Sequence, residues 1–306
     1  MSAGPGSRLP AGDGEHQPAR LVVGGTEVAR YVVDPALDVR HGPRPYLHPV
    51  RTLGGTVVTD ALPADHVWHL GASLAVPDVN GANLWGGRSY VRDVGYTWRA
   101  DHGRIVHTGW SQRSADRLAH RLEWRDPQAS VLLTEDRRLS AVALTRDVPA
   151  WRLDVDYTLR APAGQDVRLG SPTTNGRPDR AGYGGFFWRA VSARPAWVFS
   201  ASATGEEAVN GCAEPWVALA GTGPDGRAYT LVFTGLGDGD RWFTRTAMYP
   251  GVGVSFAFER PVTIAAGTSR RGRHAVVVAD GVLDRAAAAA LAASVDPCRS
   301  DGATPS

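Results

Sequence analysis

The residues able to do chemistry crowd between Arg44 and Trp85. The segments RPYLHPV from Arg44, DHVWHLG from Asp65 and DVNGANLW from Asp78 bring histidines, carboxylates, asparagines, a tyrosine and two tryptophans into one short span. His66 directly after Asp65 and His69 three residues further on form the candidate acid–base pair, because imidazole exchanges protons near neutral pH and a neighbouring carboxylate can orient it. Their spacing sets a condition. On a strand the two rings point to opposite faces, whereas on a helical turn or irregular loop both can face one cavity. The HExxH pattern of a helical zinc site is absent, since the spacing is three and no Glu lies between. Two histidines with Asp65 or Asp78 still keep a metal-dependent lyase or oxygenase open as an alternative, although the primary reading takes neither metal nor cofactor.

His48 shares extended parity with Tyr46 and Arg44, a face fit for holding hydroxyls or a carboxylate or, equally, for tying down a strand edge. Asn80 precedes Gly81 and reads first as a turn, with ligand binding as its second use. Trp85 and Trp68 can stack on a sugar ring or serve as ordinary core. His107 shares a strand face with Ile105, which favours a buried role. Tyr183 ends the polar glycine-rich segment 170–184 and shares parity with Arg189. Arg189 lies in the aromatic strand GFFWRAV and needs an anionic partner, either a ligand group or a carboxylate such as Asp65 or Asp78. The candidate set is therefore His66, His69, His48 and Asp65 for catalysis, with Arg44, Tyr46, Asn80, Trp85, His107, Tyr183 and Arg189 for substrate binding. Glu214 reads as an exposed turn acid. GRSY and GLGDGD read as turns without specificity, and neither a nucleophile elbow nor a phosphate-cradling glycine motif occurs.

The elements that must position these groups are strands. From Gly103 to Leu159 apolar residues alternate with polar ones in repeated segments, with Leu118, His120, Leu122 and Trp124 on one parity and Trp151, Leu153, Val155, Tyr157 and Leu159 on another. That period of two predicts an antiparallel meander with one wet face. LVVGGTEVARYVV, from Leu21, predicts a hairpin about Gly24 and Gly25. Further short strands continue to HAVVVADG, and one helix is predicted from Leu283 to Ser294, capped by Asp280 or Asp284 and placed over a sheet edge or mouth. The expected organisation is a disordered tail over 1–18, one domain over 19–296 and a fraying tail over 297–306.

Composition narrows the partners. The 33 basic and 31 acidic residues nearly cancel, every fixed cation is arginine, and the arginines are scattered, so no phosphate-tracking stripe for nucleic acid is expected. The two cysteines, Cys212 and Cys298, are too few for a disulfide framework. Without an apolar leader or a membrane-length apolar run, the expectation is a cytoplasmic protein with no membrane contact, acting as a monomer or homodimer on a small-molecule carbohydrate.

Taken in order, RPYLHPV, DHVWHLG, DVNGANLW, GRIVHTGW, YGGFFWRA and SFAFERPVTI resemble the bacterial PmoA-like family, a domain of unknown function, over about residues 20–282. That resemblance implies the galactose-mutarotase-like superfamily and a large antiparallel β-supersandwich whose concave face binds or transforms carbohydrate. It carries over Arg44, His48, Asp65, His66, His69, Asn80, Trp85 and Arg189. Family members often have a further histidine where Trp68 stands here, which weakens a three-histidine metal reading. Genes of the family commonly lie near sugar oxidoreductases, implying sugar or keto-sugar catabolism. The resulting expectation is an epimerase, mutarotase or lyase acting on a neutral or keto sugar through histidines. A carbohydrate-binding protein without turnover is the alternative.

Overall fold

In a computed structural model, residues 17–145 and 148–295 are described. The tails expected to be disordered or frayed lie outside the described residues, apart from positions 17 and 18. The rest is all-β and antiparallel with a short C-terminal helix, as the periodicity predicts. One sheet has seven strands among the described residues, in the spatial order Ala19–Val23, Thr26–Val32, Tyr46–Val50, Ala72–Ala75, Gly185–Arg189, Gly251–Ser255 and Arg241–Arg245. The other has eight, in the order Trp197–Ser200, Trp216–Thr222, Ala228–Thr234, Ser269–Asp280, Ala150–Arg160, Val131–Leu144, Arg117–Arg125 and Arg104–Arg113.

The predicted meander is the consecutive run of four long strands in the larger sheet, each paired to the next. Trp151, Leu153, Val155, Tyr157 and Leu159 are all buried, while Asp154 and Asp156 on the opposite parity meet Arg152 and Arg273 in ion pairs on the wet side. The first hairpin turns through Gly24 and Gly25 at φ 56 and 84°, the paired positive values that a two-residue type I′ turn requires. The helix runs Arg285–Val295 and is capped by Asp284, whose Oδ1 accepts from the Ala287 amide at 2.8 Å. It differs from expectation in where it packs. Leu283, Ala288 and Leu291 cover Trp216, Val232, Val277 and Ala279, the outer face of the larger sheet, because that face is apolar in mid-sheet and would otherwise be wet.

The two sheets face one another across a dense core. Trp188 and Phe186 of the strand Gly185–Arg189 reach Phe233 and His274 of the larger sheet. Strand alternation then directs Phe187 and Arg189 away from that core. Neighbouring positions on Gly251–Ser255 are Gly251 and Gly253, where an added Cβ would come within 2.9 and 3.2 Å of the Phe187 ring, so the missing side chains leave that ring its place. The outward face therefore carries a shallow aromatic floor. Among the described residues no helix is long and apolar enough to cross a membrane.

The core also holds neutral histidines. Burial pushes His120 down to about 2 and His274 down to about 4, against an unfolded value near 6.5. With both folded-state values depressed, the unfolded chain binds more protons below about pH 6.5, so stability is full above that pH and falls on acidification. Equilibrium denaturation between about pH 7 and about pH 5 should show a loss approaching 1.4 kcal/mol per pH unit for each such histidine. A flat profile over that window would contradict their buried neutral state.

Candidate functional site

His66 and His69 do come together, because Pro63–His69 is built as two successive turns. The His66 amide donates to the Pro63 carbonyl at 3.1 Å and the His69 amide to the His66 carbonyl at 2.8 Å. This meets the condition set by their spacing. The rings stack with centroids 4.7 Å apart and planes within 12°. Stacked rings direct their in-plane lone pairs along parallel planes, which suits a ring wall better than two ligands converging on one ion. Among the described residues no three His, Cys, Asp or Glu side chains gather in a metal-holding group.

Asp65 joins this turn to the sheet. Its carboxylate receives both hydrogen bonds from Arg189 Nη2, at 3.0 and 3.1 Å, and one from His66 Nδ1 at 2.9 Å. Burial acts to raise the Asp65 pKa, but His66 and Arg189 outweigh it and hold the carboxyl below its usual range. An ionised carboxylate only accepts, so His66 carries its proton on Nδ1 and keeps the Nε2 lone pair. Arg189 also donates from Nη1 to His69 Nδ1 at 3.4 Å, and a guanidinium has only donors, so His69 carries its proton on Nε2. The stacked pair thus offers one acceptor and one donor. Burial above all, with the Arg189 and Arg44 charges, depresses His69 to about 2 and keeps it neutral.

A cavity of about 490 Å³ opens beside this pair, on the outward face of the seven-stranded sheet. Phe243, Trp85 and His69 form its buried floor, Tyr183 and Tyr249 its sides, and Trp98, Tyr96 and Met248 its exposed rim. Trp85 packs on Tyr183 at 4.8 Å and on Phe187 at 5.1 Å. Tyr249 is held under Arg189, whose guanidinium carbon lies 4.7 Å from its ring centroid. Burial raises the Tyr249 phenol to about 12 and Tyr183 well above its ordinary value, so both stay protonated at neutral pH. A second, smaller cavity of about 170 Å³ shares Arg88 and Tyr183 with the first.

The loop that presents Trp85 is clasped from several sides. Asn83 Oδ1 accepts from the Trp85 and Gly86 amides at 3.0 and 2.9 Å. Gly86 and Gly87 adopt φ of 97 and 74°, and a Cβ at Gly87 would stand 2.6 Å from the Trp68 ring, so only glycine lets this backbone close on that indole. Arg44 completes the clasp. Fully buried, it donates to Ser73 Oγ at 3.0 Å and to the carbonyls of Gly42, Trp85 and Trp68 at 2.8, 2.9 and 3.1 Å.

Of the residues expected to contact substrate, Trp85, Tyr183, His66 and His69 line the cavity, with Asp65 and Arg189 directly behind them. The others sit elsewhere. Arg44 is behind the wall, its donors taken by backbone. His48 shares the strand face of Tyr46 but turns to Thr59, with Nδ1 3.0 Å from Oγ1, and neither His48 nor Tyr46 lines the cavity. Asn80 clamps two strands, donating to the Asp166 carbonyl and accepting from the Arg168 amide, at a φ of 50° that its turn position demands. His107 lies between the sheets, 2.9 Å from His120 Nδ1 through its own Nδ1.

Sequence reasoning missed Arg88, Tyr96, Trp98, Arg177, Phe243, Arg245, Met248 and Tyr249. Some signals were present. GRSY, read as a turn without specificity, holds Arg88, and Tyr96 and Trp98 alternate in a short hairpin where exposed aromatics are unexpected. Arg177 belongs to the polar segment already marked. Phe243 and Arg245 share parity in RWFTR, but nothing in that strand tells which face meets a cavity.

A family model matches residues 19–293 of the sequence. The chain belongs to that family, a family of unknown function (DUF6807). No curated protein matches the sequence. Among solved structures the chain is similar to a heparan sulfate lyase HepC mutant from Pedobacter heparinus, at 10% identity and a TM-score of 0.27. That alignment covers 59% of this chain and 22% of the other, and at such a score it carries no argument about fold or function.

Because Arg44 supplies the donors for carbonyls of both tryptophan loops, Arg44→Met should destabilise the protein by about 3 kcal/mol or more, leaving buried acceptors unpaired. Arg44→Lys should recover only part of this, since an ammonium lacks the planar fork. Thermal unfolding of both variants against His48→Ala, which touches no part of the clasp, checks it. Equal melting temperatures for Arg44→Met and the parent would contradict it.

Proposed function

We propose that the protein is a carbohydrate-active protein that takes a saccharide ring in the aromatic cavity and moves a proton on it through His66. The observation that carries this reading is the fixed tautomer pair. His66, locked by Asp65 on Nδ1, keeps a basic Nε2 beside a cavity walled by Trp85, Tyr183 and Tyr249. Indole and phenol rings suit the apolar faces of a pyranose, and their polar edges suit its hydroxyls.

His66 is the base in this arrangement and Asp65 the positioning residue. An imidazole oriented by a carboxylate can act as a general base, contributing about 10²–10⁴ in rate when it is correctly placed. His69, kept neutral by burial, supplies a hydrogen bond from Nε2 to an oxygen of the substrate and takes no part in storing the proton. Its donor, close to the Arg189 charge, supports an oxyanion forming beside the carbon that loses its proton. Proton removal next to a carbonyl or carboxyl carbon, followed by return on either face or by loss of a leaving group, covers the epimerase and lyase chemistries; mutarotation instead removes the hydroxyl proton at the anomeric carbon and breaks no carbon–hydrogen bond. The resemblance to the PmoA-like family and the galactose-mutarotase-like superfamily points the same way. The neutrality of His69 favours a second reading, binding without turnover, because it leaves one histidine of the pair to carry protons.

Exchange of carbon-bound hydrogen for solvent deuterium, followed by nuclear magnetic resonance across a panel of sugars, separates these readings. For a sugar that exchanges, His66→Ala and Asp65→Asn should slow the exchange by about 10²-fold or more while leaving binding within a few fold. Trp85→Ala should weaken binding itself. If both site variants exchange hydrogen as fast as the parent, His66 is not the base; if sugars bind and none exchanges, the binding reading takes over. If no sugar on the panel perturbs tryptophan fluorescence, the saccharide reading itself fails.

A further inference from the structure

The cavity is cationic out of proportion to the protein. Arg88, Arg177 and Arg245 line it and no carboxylate does, although the whole chain carries a formal net charge of only +2. The nearby acids are already committed, including Asp78 and Asp101, which border the smaller adjoining cavity with Arg88 and pair with Arg168 and Arg99. Asp65 is shared by Arg189 and His66, and Glu206 Oε2 accepts from the Thr246 and Ala247 amides at 2.6 and 2.9 Å, leaving Oε1 3.6 Å from Arg245. Arg177 meets Tyr96 through a hydrogen bond to its hydroxyl and a guanidinium 4.9 Å from its ring centroid. Arg88 meets the Trp98 ring at 5.9 Å. Among the described residues neither is within ion-pair distance of a carboxylate. Guanidinium groups resting on aromatic rings at the rim of a concave site keep N–H edges for a further acceptor, and low-dielectric walls concentrate their field.

We infer that the saccharide bound in this cavity is acidic, carrying a carboxylate or sulfate oxyanion that Arg177 and Arg88 receive while its ring lies against Trp85 and Tyr183. The inference rests on the saccharide reading above and departs from the neutral or keto sugar expected from sequence. Planar guanidinium forks match the two oxygens of a carboxylate and those of a sulfate ester alike, so the chemistry they share is a fixed oxyanion on a sugar ring. Neutral sugars offer these arginines only hydroxyls. A charged hydrogen bond is about twice as strong as a neutral one, and that difference is the source of selectivity.

Isothermal titration of the full chain decides it with four probes: a glucuronic-acid-containing disaccharide, a sulfated disaccharide, a neutral disaccharide of the same linkage, and inorganic sulfate. The expected result is that at least one acidic disaccharide binds about tenfold or more tighter than the neutral one, with the advantage shrinking as salt is raised. Which acidic probe wins distinguishes carboxylate from sulfate. Arg177→Gln and Arg88→Gln should each weaken the acidic probe by more than the neutral one, so that the ratio of their affinities narrows towards one. Equal binding of neutral and acidic disaccharides, unchanged in both variants, overturns the inference and leaves the saccharide reading standing. Inorganic sulfate binding as tightly as the acidic disaccharides overturns both, since the ring would then contribute nothing. Failure of every disaccharide to bind likewise overturns both.

Discussion

The pairing of Arg189 with Asp65 is the interaction on which the site depends. Strand alternation forces Arg189 outward from Gly185–Arg189, yet the side chain is only 6% exposed, and a guanidinium so enclosed requires an anion. Asp65 supplies it from a loop far away in sequence, and the same carboxylate fixes the His66 ring. One pair therefore ties sheet to loop and also selects the tautomers of two histidines. Remove the carboxylate, and the arginine loses its counter-charge at the same moment that His66 loses its orientation. Stability and chemistry are coupled there, which is why a readout of binding is needed beside any readout of rate.

Arg44 has the complementary task on the other wall. It holds no carboxylate; its hydrogen bonds go to a hydroxyl and to backbone carbonyls of the loops that carry Trp68 and Trp85. Burial without a counter-ion pushes its pKa down to about 9, still high enough to keep the charge at neutral pH. Carbonyl dipoles thus solvate the cation, and in return two loops without regular structure are held at a fixed separation. The aromatic wall is as rigid as this clasp allows.

Much of this was legible in the residues, and the rest was not, for identifiable reasons. The meander, the Gly24–Gly25 hairpin and the capped helix follow from period, turn chemistry and capping, which are local properties. So does the demand that Arg189 find an anion, with Asp65 among the two carboxylates named for it. Parity also placed Arg44, Tyr46 and His48 on one strand face, but parity does not say what covers that face. Thr59 and the tryptophan loops arrive from elsewhere in the chain and turn those residues into scaffold. Arg88, Arg177 and Tyr249 were missed for the converse reason. Each lies in a loop or strand end with no local period, and only the fold brings them to one rim.

The same logic extends into the core and gives the absence of lysine a structural side. Glu135 and Arg137 face inward from Val131–Leu144, joined by hydrogen bonds of 2.6 and 2.8 Å, and Trp124 donates to the same glutamate at 2.8 Å. Arg137 goes on to Tyr31 of the opposite sheet, and Tyr31 meets His120, which meets His107. A buried pair of this kind adds little net stability over apolar packing, so its contribution is registry: it admits one facing of the two sheets and leaves charges unpaired in any other. Arg44, Arg137 and Arg189 each divide their donors among two or more partners in fixed directions, which a single flexible ammonium cannot reproduce. Whatever composition led every fixed cation to be arginine, these three positions require it. The buried structure and the cationic rim therefore draw on the same property, a planar fork that stays charged when it is removed from water.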